Sequence, residues 1–178
     1  MTKIDRNYFN YYIEEVNKYV DGVHFLNPGI EDDTLIEEAE KRIGVKLPEE
    51  YKMFLKLNNG GELFRPGTVL SQIYAEPSDR IRGWYYLNDV FDERYRVSEI
   101  PDNLMFIATM SYGDKVCIDT AESSEFAKIV LWDFENMEIS QSWMTLRDWL
   151  ADELEVGRML VDYDGTKKRL TFLNRNTK

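Results

Sequence analysis

The apolar residues of this chain change period near Leu63 and return to helical spacing after Thr145, and that pattern limits what the chain can fold into. Upstream they recur at helical spacing; downstream they come in short runs parted by turn residues. Tyr8, Phe9, Tyr12, Ile13, Val16 and Val20 predict an amphipathic helix between Asp5 and Asp21, with Glu14, Glu15 and Lys18 outward. Gly22 to Gly29 breaks the pattern. A second helix has Asp33 as its expected cap, Thr34 and Glu37 at capping-box spacing, Gly44 after the last periodic residue, and Leu35, Ile36, Ala39 and Ile43 inward. A third begins at Pro48, where a missing N–H costs nothing, and carries Glu49 and Glu50 in the first turn, where the helix dipole favours carboxylates. Its inner stripe is Tyr51, Phe54 and Leu55, and Asn58-Asn59-Gly60-Gly61 is read as its stop and a turn.

Beyond Leu63 the expected strands are Leu63-Phe64, Val69 to Tyr74, Leu104 to Thr109, Val116 to Asp119, Ile129 to Phe134 and Glu138 to Gln141. Ser111-Tyr112-Gly113-Asp114 and Glu135-Asn136 supply turn chemistry between them. Short turns favour antiparallel pairing over a crossover-linked parallel sheet. Leu87, Val90, Phe91 and Tyr95 place a helix or an irregular loop between Trp84 and Glu99. A last helix is expected from Thr145 to Glu155, with Thr145 and Asp148 as a capping box and Leu146, Trp149, Leu150 and Leu154 inward. After it, Asp164-Gly165 marks either a terminal hairpin between Met159-Leu160-Val161 and Leu170-Thr171-Phe172 or a frayed basic tail.

The 178 residues suit one domain that buries roughly 70% of its unfolded surface. Cys117 is the only cysteine, which excludes an internal disulfide and a Cys-rich zinc site and points to a reducing, cytoplasmic setting. No apolar run approaches the roughly 20 residues of a membrane helix. The net charge is −11, and it is unevenly spread: residues 119–155 hold ten carboxylates against Lys128 and Arg147, whereas residues 156–178 are basic on balance. This field argues against nucleic acid, whose phosphates need clustered Lys and Arg. It suits a basic protein partner reached by electrostatic steering, or serves solubility alone.

Catalytic chemistry finds little purchase. His24, the sole histidine, has no Cys or Ser neighbour to act as nucleophile, and Cys117 alternates with apolar residues as a small buried hydrophobe does. Asp114, Asp119 and Asp133 match no metal-loop spacing and read as turn and strand-end carboxylates. Gly60-Gly61 lacks the pattern of a phosphate loop. No metal, cofactor or catalytic residue is therefore expected. Trp84-Tyr85-Tyr86 and Phe91 either pack in the core or, beside Asp89, Asp92 and Glu93, form an anchor-plus-charge surface. Glu122 and Glu125 fall in a loop between strands, a usual place for recognition. The five candidate contacts to a basic partner are thus Asp89, Asp92, Glu93, Glu122 and Glu125.

The string Ile36-Glu37-x-x-Glu40-x-x-Ile43-Gly44-Val45-x-Leu47-Pro48-Glu49-Glu50-Tyr51-x-x-Phe54-Leu55-x-x-Asn58-Asn59-Gly60-Gly61 resembles the signature of the SUKH superfamily, which holds bacterial immunity proteins and the fungal Smi/Knr cell-wall regulators. Ile100-Pro101, Leu104 to Ala108, Gly113-Asp114, Val116 to Asp119 and Val130 to Asp133 follow in the family's order. The approach to Gly113, Thr109-Met110-Ser111-Tyr112, is poorer in glycine than the family's usual loop. The resemblance implies an α+β domain with helices packed on an antiparallel sheet. It divides the chain into an N-terminal helical extension (1–32), the family-like domain (33–155) and a basic tail or hairpin of the same domain (156–178). It also implies an immunity-type protein that binds and silences a cognate toxin domain, often a nuclease; the alternative is a regulatory or scaffolding module binding a cellular protein. The matched residues Gly44, Leu47, Pro48, Tyr51, Phe54, Asn59, Gly60, Gly61, Gly113 and Asp114 are expected to build the scaffold, with no nucleic acid and no membrane as partner.

Overall fold

Helices here start where an oxygen acceptor or a proline precedes them. A computed structural model describes residues 4–74, 100–121 and 125–168. A 3-10 turn, Arg6–Phe9, is capped by Asp5, which accepts the Asn7 N–H at 2.9 Å, and runs into α1 (Asn10–Val16). The segment read as a break contains β1 (Phe25–Pro28). α2 (Asp33–Ile43) is capped by Asp32, not Asp33, because Asp32 lies in extended backbone with its carboxylate on the Thr34 N–H at 2.9 Å. Gly44 closes α2 at φ 73°, and Pro48 caps α3 (Glu49–Leu57).

α3 does not turn at Asn58. It passes directly into β2 (Asn58–Leu63), so the Asn-Asn-Gly-Gly run is strand, and its residues do different work from a helix stop. Asn59 accepts the Ile73 N–H at 2.8 Å and donates its side-chain amide to the Ile73 carbonyl at 2.9 Å, imitating a strand neighbour. Asn58 donates to the carbonyls of Asn27 and Gly60, each at 2.9 Å. A Cβ at Gly60 (φ 79°) would lie 2.6 Å from the Gln72 Cβ, and one at Gly61 (φ 130°) would strike the Phe25 carbonyl. The two glycines thus let flanking backbone close on β2.

The remaining elements are β3 (Thr68–Leu70), β4 (Leu104–Thr109), β5 (Lys115–Asp119), β6 (Ile129–Asp133), β7 (Glu138–Trp143) and α4 (Leu146–Leu160). The described strands form one seven-stranded sheet in the order β1-β2-β3-β4-β5-β6-β7, with every neighbouring pair antiparallel. β3 stops at Leu70, short of the expected Tyr74. The fold is α+β, as the resemblance implied. β4 is buried at every position and β5 at all but Asp119, whereas β7 forms an exposed edge.

α4 extends beyond Glu155 to Leu160, so Met159-Leu160 is helix and not the strand of a hairpin. Thr145 caps it through the Asp148 N–H at 3.1 Å, and Leu146, Trp149, Leu150 and Leu154 are buried. The phenyl ring of Phe64 lies directly on Gly157, leaving no room there for a side chain. After α4, Asp164-Gly165 makes a tight turn closed by a single Val161–Lys167 bridge. The Val20 N–H donates to the Tyr163 carbonyl at 2.9 Å, so the segment after α1 packs against the turn after α4.

Buried carboxylates tie these layers. Glu50, with no exposed surface, accepts the N–H groups of Ala127 (2.9 Å), Leu146 (3.0 Å) and Arg147 (3.1 Å), while its own N–H donates to the Glu125 carbonyl at 3.0 Å. One side chain of α3 thereby fixes both the approach to β6 and the first turn of α4. Glu40 accepts the Leu47 N–H (2.8 Å) and the Lys46 ammonium (2.7 Å); burial alone would raise its pKa, but these bonds and Lys52 hold it below the ordinary value. Glu15, expected outward, is in fact buried and accepts Lys18 (2.8 Å) and the Tyr163 hydroxyl (3.0 Å). Burial opposes its ionisation too, and Lys18, Tyr163 and Arg158 outweigh it.

Glu50→Gln keeps the shape but turns an N–H toward another N–H. It is expected to lower unfolding free energy by about 2–4 kcal/mol, since bonds to a charged acceptor are worth about 1.5–3 kcal/mol and a stranded buried donor costs about 1–3. Urea denaturation checks this, and a loss below about 1 kcal/mol contradicts the tie.

Candidate functional site

The structure scatters the residues that sequence offered for chemistry. His24 is half-buried, its Nδ1 accepts the Phe64 N–H at 3.2 Å, and Tyr19 and Phe64 face the ring edge-on at 4.9 and 4.6 Å. Burial holds its pKa down to about 4, so the ring is neutral at pH 7. Cys117 is fully buried in β5. Asp114 and Asp133 meet at one end of the sheet, where Asp114 accepts the Phe134 N–H at 3.1 Å, but Asp119 sits at the far end of β5 with Asn103 and Lys128. Five residues of strand, roughly 16 Å, keep Asp119 apart from the other two. Among the described residues no group of His, Cys, Asp or Glu is placed to hold a metal.

Asp89, Asp92, Glu93 and Glu122 lie outside the described residues, as do Trp84-Tyr85-Tyr86 and Phe91. Glu125 is exposed, just before β6, where its carbonyl anchors Glu50. Of the scaffold residues, Leu47, Pro48, Tyr51, Phe54, Gly60 and Gly61 are buried; Gly44 and Gly113 are exposed at positive φ, and Asn59 and Asp114 are half-buried at their hydrogen bonds.

A feature that sequence reading missed lies between β7 and α4. There a groove of about 290 Å³ is lined by the apolar Met110, Leu131, Trp149 and Val156, by the aromatic Tyr112 and Trp143, and by Gln141, Asp152, Glu153 and Glu155. β7 supplies Gln141 and Trp143 from alternate positions on one face of the strand. The Trp143 indole N–H donates to Asp152 at 2.6 Å, fixing one wall against the helix. Tyr112, another lining residue, is largely exposed; burial of its hydroxyl, then the charges of Asp114, Glu153 and Asp133, raise its pKa.

Glu153 is the unusual member. It is 8% exposed, four residues after Trp149 on the inward face of α4, and its Oε1 accepts the Thr68 hydroxyl at 2.5 Å. No cation of the described residues pairs with it, and Oε2 accepts no hydrogen bond. Burial accordingly raises its pKa, which the Thr68 bond only partly offsets. The signal was present in the sequence as a glutamate in an apolar register, which the list of inward leucines passed over.

The wider surface of the described residues is acidic and largely uncompensated. Asp119 pairs with Lys128 at 3.5 Å and Glu155 with Arg158, but Glu125, Asp133, Glu135, Glu138, Asp148 and Asp152 are in no ion pair. Among the described residues no helix is long and apolar enough to cross a membrane.

Comparison with known proteins bears on the scaffold. A family model described as the SMI1 / KNR4 family (SUKH-1) matches residues 31–152. A relative from Bacillus subtilis (strain 168), the uncharacterized protein YnaB, is 34% identical over 76 residues, which cover 40% of this chain and 51% of that one. The match therefore spans about half of that relative's length. Glu153, Glu155 and Val156 lie beyond the residues matched by the family model.

A carboxyl whose folded-state pKa is raised binds its proton more tightly in the folded chain. Stability is then lost as pH rises past the ordinary carboxylate value near 4.3, and the loss is complete above the raised value. Glu153→Gln is expected to melt at a higher temperature than the parent at pH 8 and at the same temperature near pH 3.5. Melting curves across that range check it, and a constant offset between the two proteins contradicts it.

Proposed function

We propose, from the premise that this chain belongs to the SMI1 / KNR4 family (SUKH-1), that it is an immunity-type binding protein which silences a cognate bacterial toxin by stoichiometric docking. The toxin on this reading is a nuclease or another basic domain, and the site of action is the cytoplasm. Family membership supports the class of activity, since immunity proteins belong to that family. The observation that carries the reading is the run of carboxylates along β6, β7 and α4, most of which have no ion-pair partner. A nuclease that grips phosphates presents a basic cleft. An acidic face attracts such a cleft at long range, and charge pairs closed at an interface couple by about 1.5–7 kcal/mol. The rigid sheet and capped helices hold that face in one shape, which limits the ordering cost of association.

The acidic positions Asp89, Asp92, Glu93, Glu122 and Glu125 belong to the same proposal as contacts. Co-purification with the product of the adjacent gene is the direct test of the immunity reading. Capture of a toxin domain is expected; a chain that instead captures a housekeeping protein favours a regulatory or scaffolding module. For the captured partner, the association rate is expected to fall at least tenfold between 50 and 500 mM salt. Reversing all five charges is expected to weaken the complex at least tenfold, and unchanged binding refutes that contact assignment.

A further inference from the structure

We propose that the groove between β7 and α4 is the receptor for one arginine side chain of the docked partner, its guanidinium meeting Asp152 and Glu153 while its stem lies on Val156. This rests on the docking reading above and names the contact on which it turns. Three independent features of the groove fit that occupant. It is a cavity of about 290 Å³ with apolar walls, suited to an aliphatic stem. Its lining includes two aromatics, the exposed Tyr112 and Trp143 held in place by Asp152, and a planar guanidinium stacks on aromatic faces better than an ammonium does.

The third feature is Glu153. A carboxylate that is more than nine-tenths buried, with one neutral hydrogen-bond donor and an oxygen left over, has its desolvation uncompensated within the chain. The contrast with Glu15 and Glu40 is direct, because each of these has a lysine within 2.8 Å. What those two carboxylates receive from their own chain, Glu153 lacks, and a cation entering the groove supplies it. Glu155 does not compete for the role, since Arg158 already neutralises it. Asp152 does, because its only partner is the neutral indole.

The test uses the full chain, labelled with nitrogen-15, and an acetylated, amidated Gly-Arg-Gly peptide as probe. The Trp143 indole signal, assigned with Trp143→Phe, is expected to shift saturably with a dissociation constant in the millimolar range. The peptide with citrulline in place of arginine, neutral but of the same shape, is expected to leave it unmoved. Glu153→Gln keeps the fold and is expected to weaken the arginine peptide at least fivefold. Val156→Lys, which places a lysine of the chain's own at the groove, is expected to do the same. Absence of saturation, equal binding of citrulline, or undiminished binding by both variants overturns the proposal, and equal binding of Gly-Lys-Gly overturns the choice of arginine. A toxin complex that survives Glu153→Gln and Val156→Lys at parental strength removes the groove and leaves the immunity reading standing. Arginine binding in a chain that captures no toxin does the reverse.

Discussion

The carboxylate of Glu50 joins three elements that share no stretch of sequence. It sits in the first turn of α3, and its acceptors take the N–H groups opening α4 together with one from the loop before β6. A helix begins with N–H groups that no helical carbonyl can reach, and in a buried helix start water cannot reach them either. For Leu146 and Arg147 the need is met from α3, some hundred residues away in sequence. The consequence is that the start of α4 is tied to the first turn of α3, while Leu146, Trp149, Leu150 and Leu154 bury its inner face in the core.

Glu50 is one of four glutamates buried among the described residues, with Glu15, Glu40 and Glu153. Each falls in an apolar register of its helix: Glu15 follows Tyr12 by three, Glu40 follows Ile36 by four, and Glu153 follows Trp149 by four. Burial penalises all four alike, and their partners separate them. Lysines, backbone N–H groups and tyrosine hold Glu15 and Glu40 ionised, three N–H groups satisfy Glu50, and Thr68 alone serves Glu153. The first three therefore belong to the architecture. The fourth stands where the structure faces outward into a groove.

Much of the architecture could be read in advance, because helix caps and turn residues are local chemistry. Gly44, Pro48, Thr145 and the central strands lie within a residue or two of where their residue types require. The readings that failed concern distant partners. Asn58-Asn59-Gly60-Gly61 has the composition of a helix stop, and only the approach of Phe25, Asn27 and Gln72 shows why the same residues make a strand. Glu15 looked solvent-facing because its partners Tyr163 and Arg158 lie at the other end of the chain. β1 went unseen since Phe25-Leu26-Asn27-Pro28 has no alternation and acquires its pairing from β2. The groove could not be read at all, for Tyr112, Trp143 and Glu153 converge only once the sheet and α4 are in contact.

On the proposed docking function, the chain is a preorganised acidic platform whose action ends with the complex it forms. The most direct measurement is the activity of the captured toxin domain against the molar ratio of this chain to it. Docking predicts a linear fall that reaches zero at a ratio of one to one, with full toxin activity recovered when the complex is separated in denaturant and the toxin refolded. Complete inactivation at a small fraction of that ratio, or a toxin left inactive after separation, would mean that the chain acts by turnover and would contradict the account.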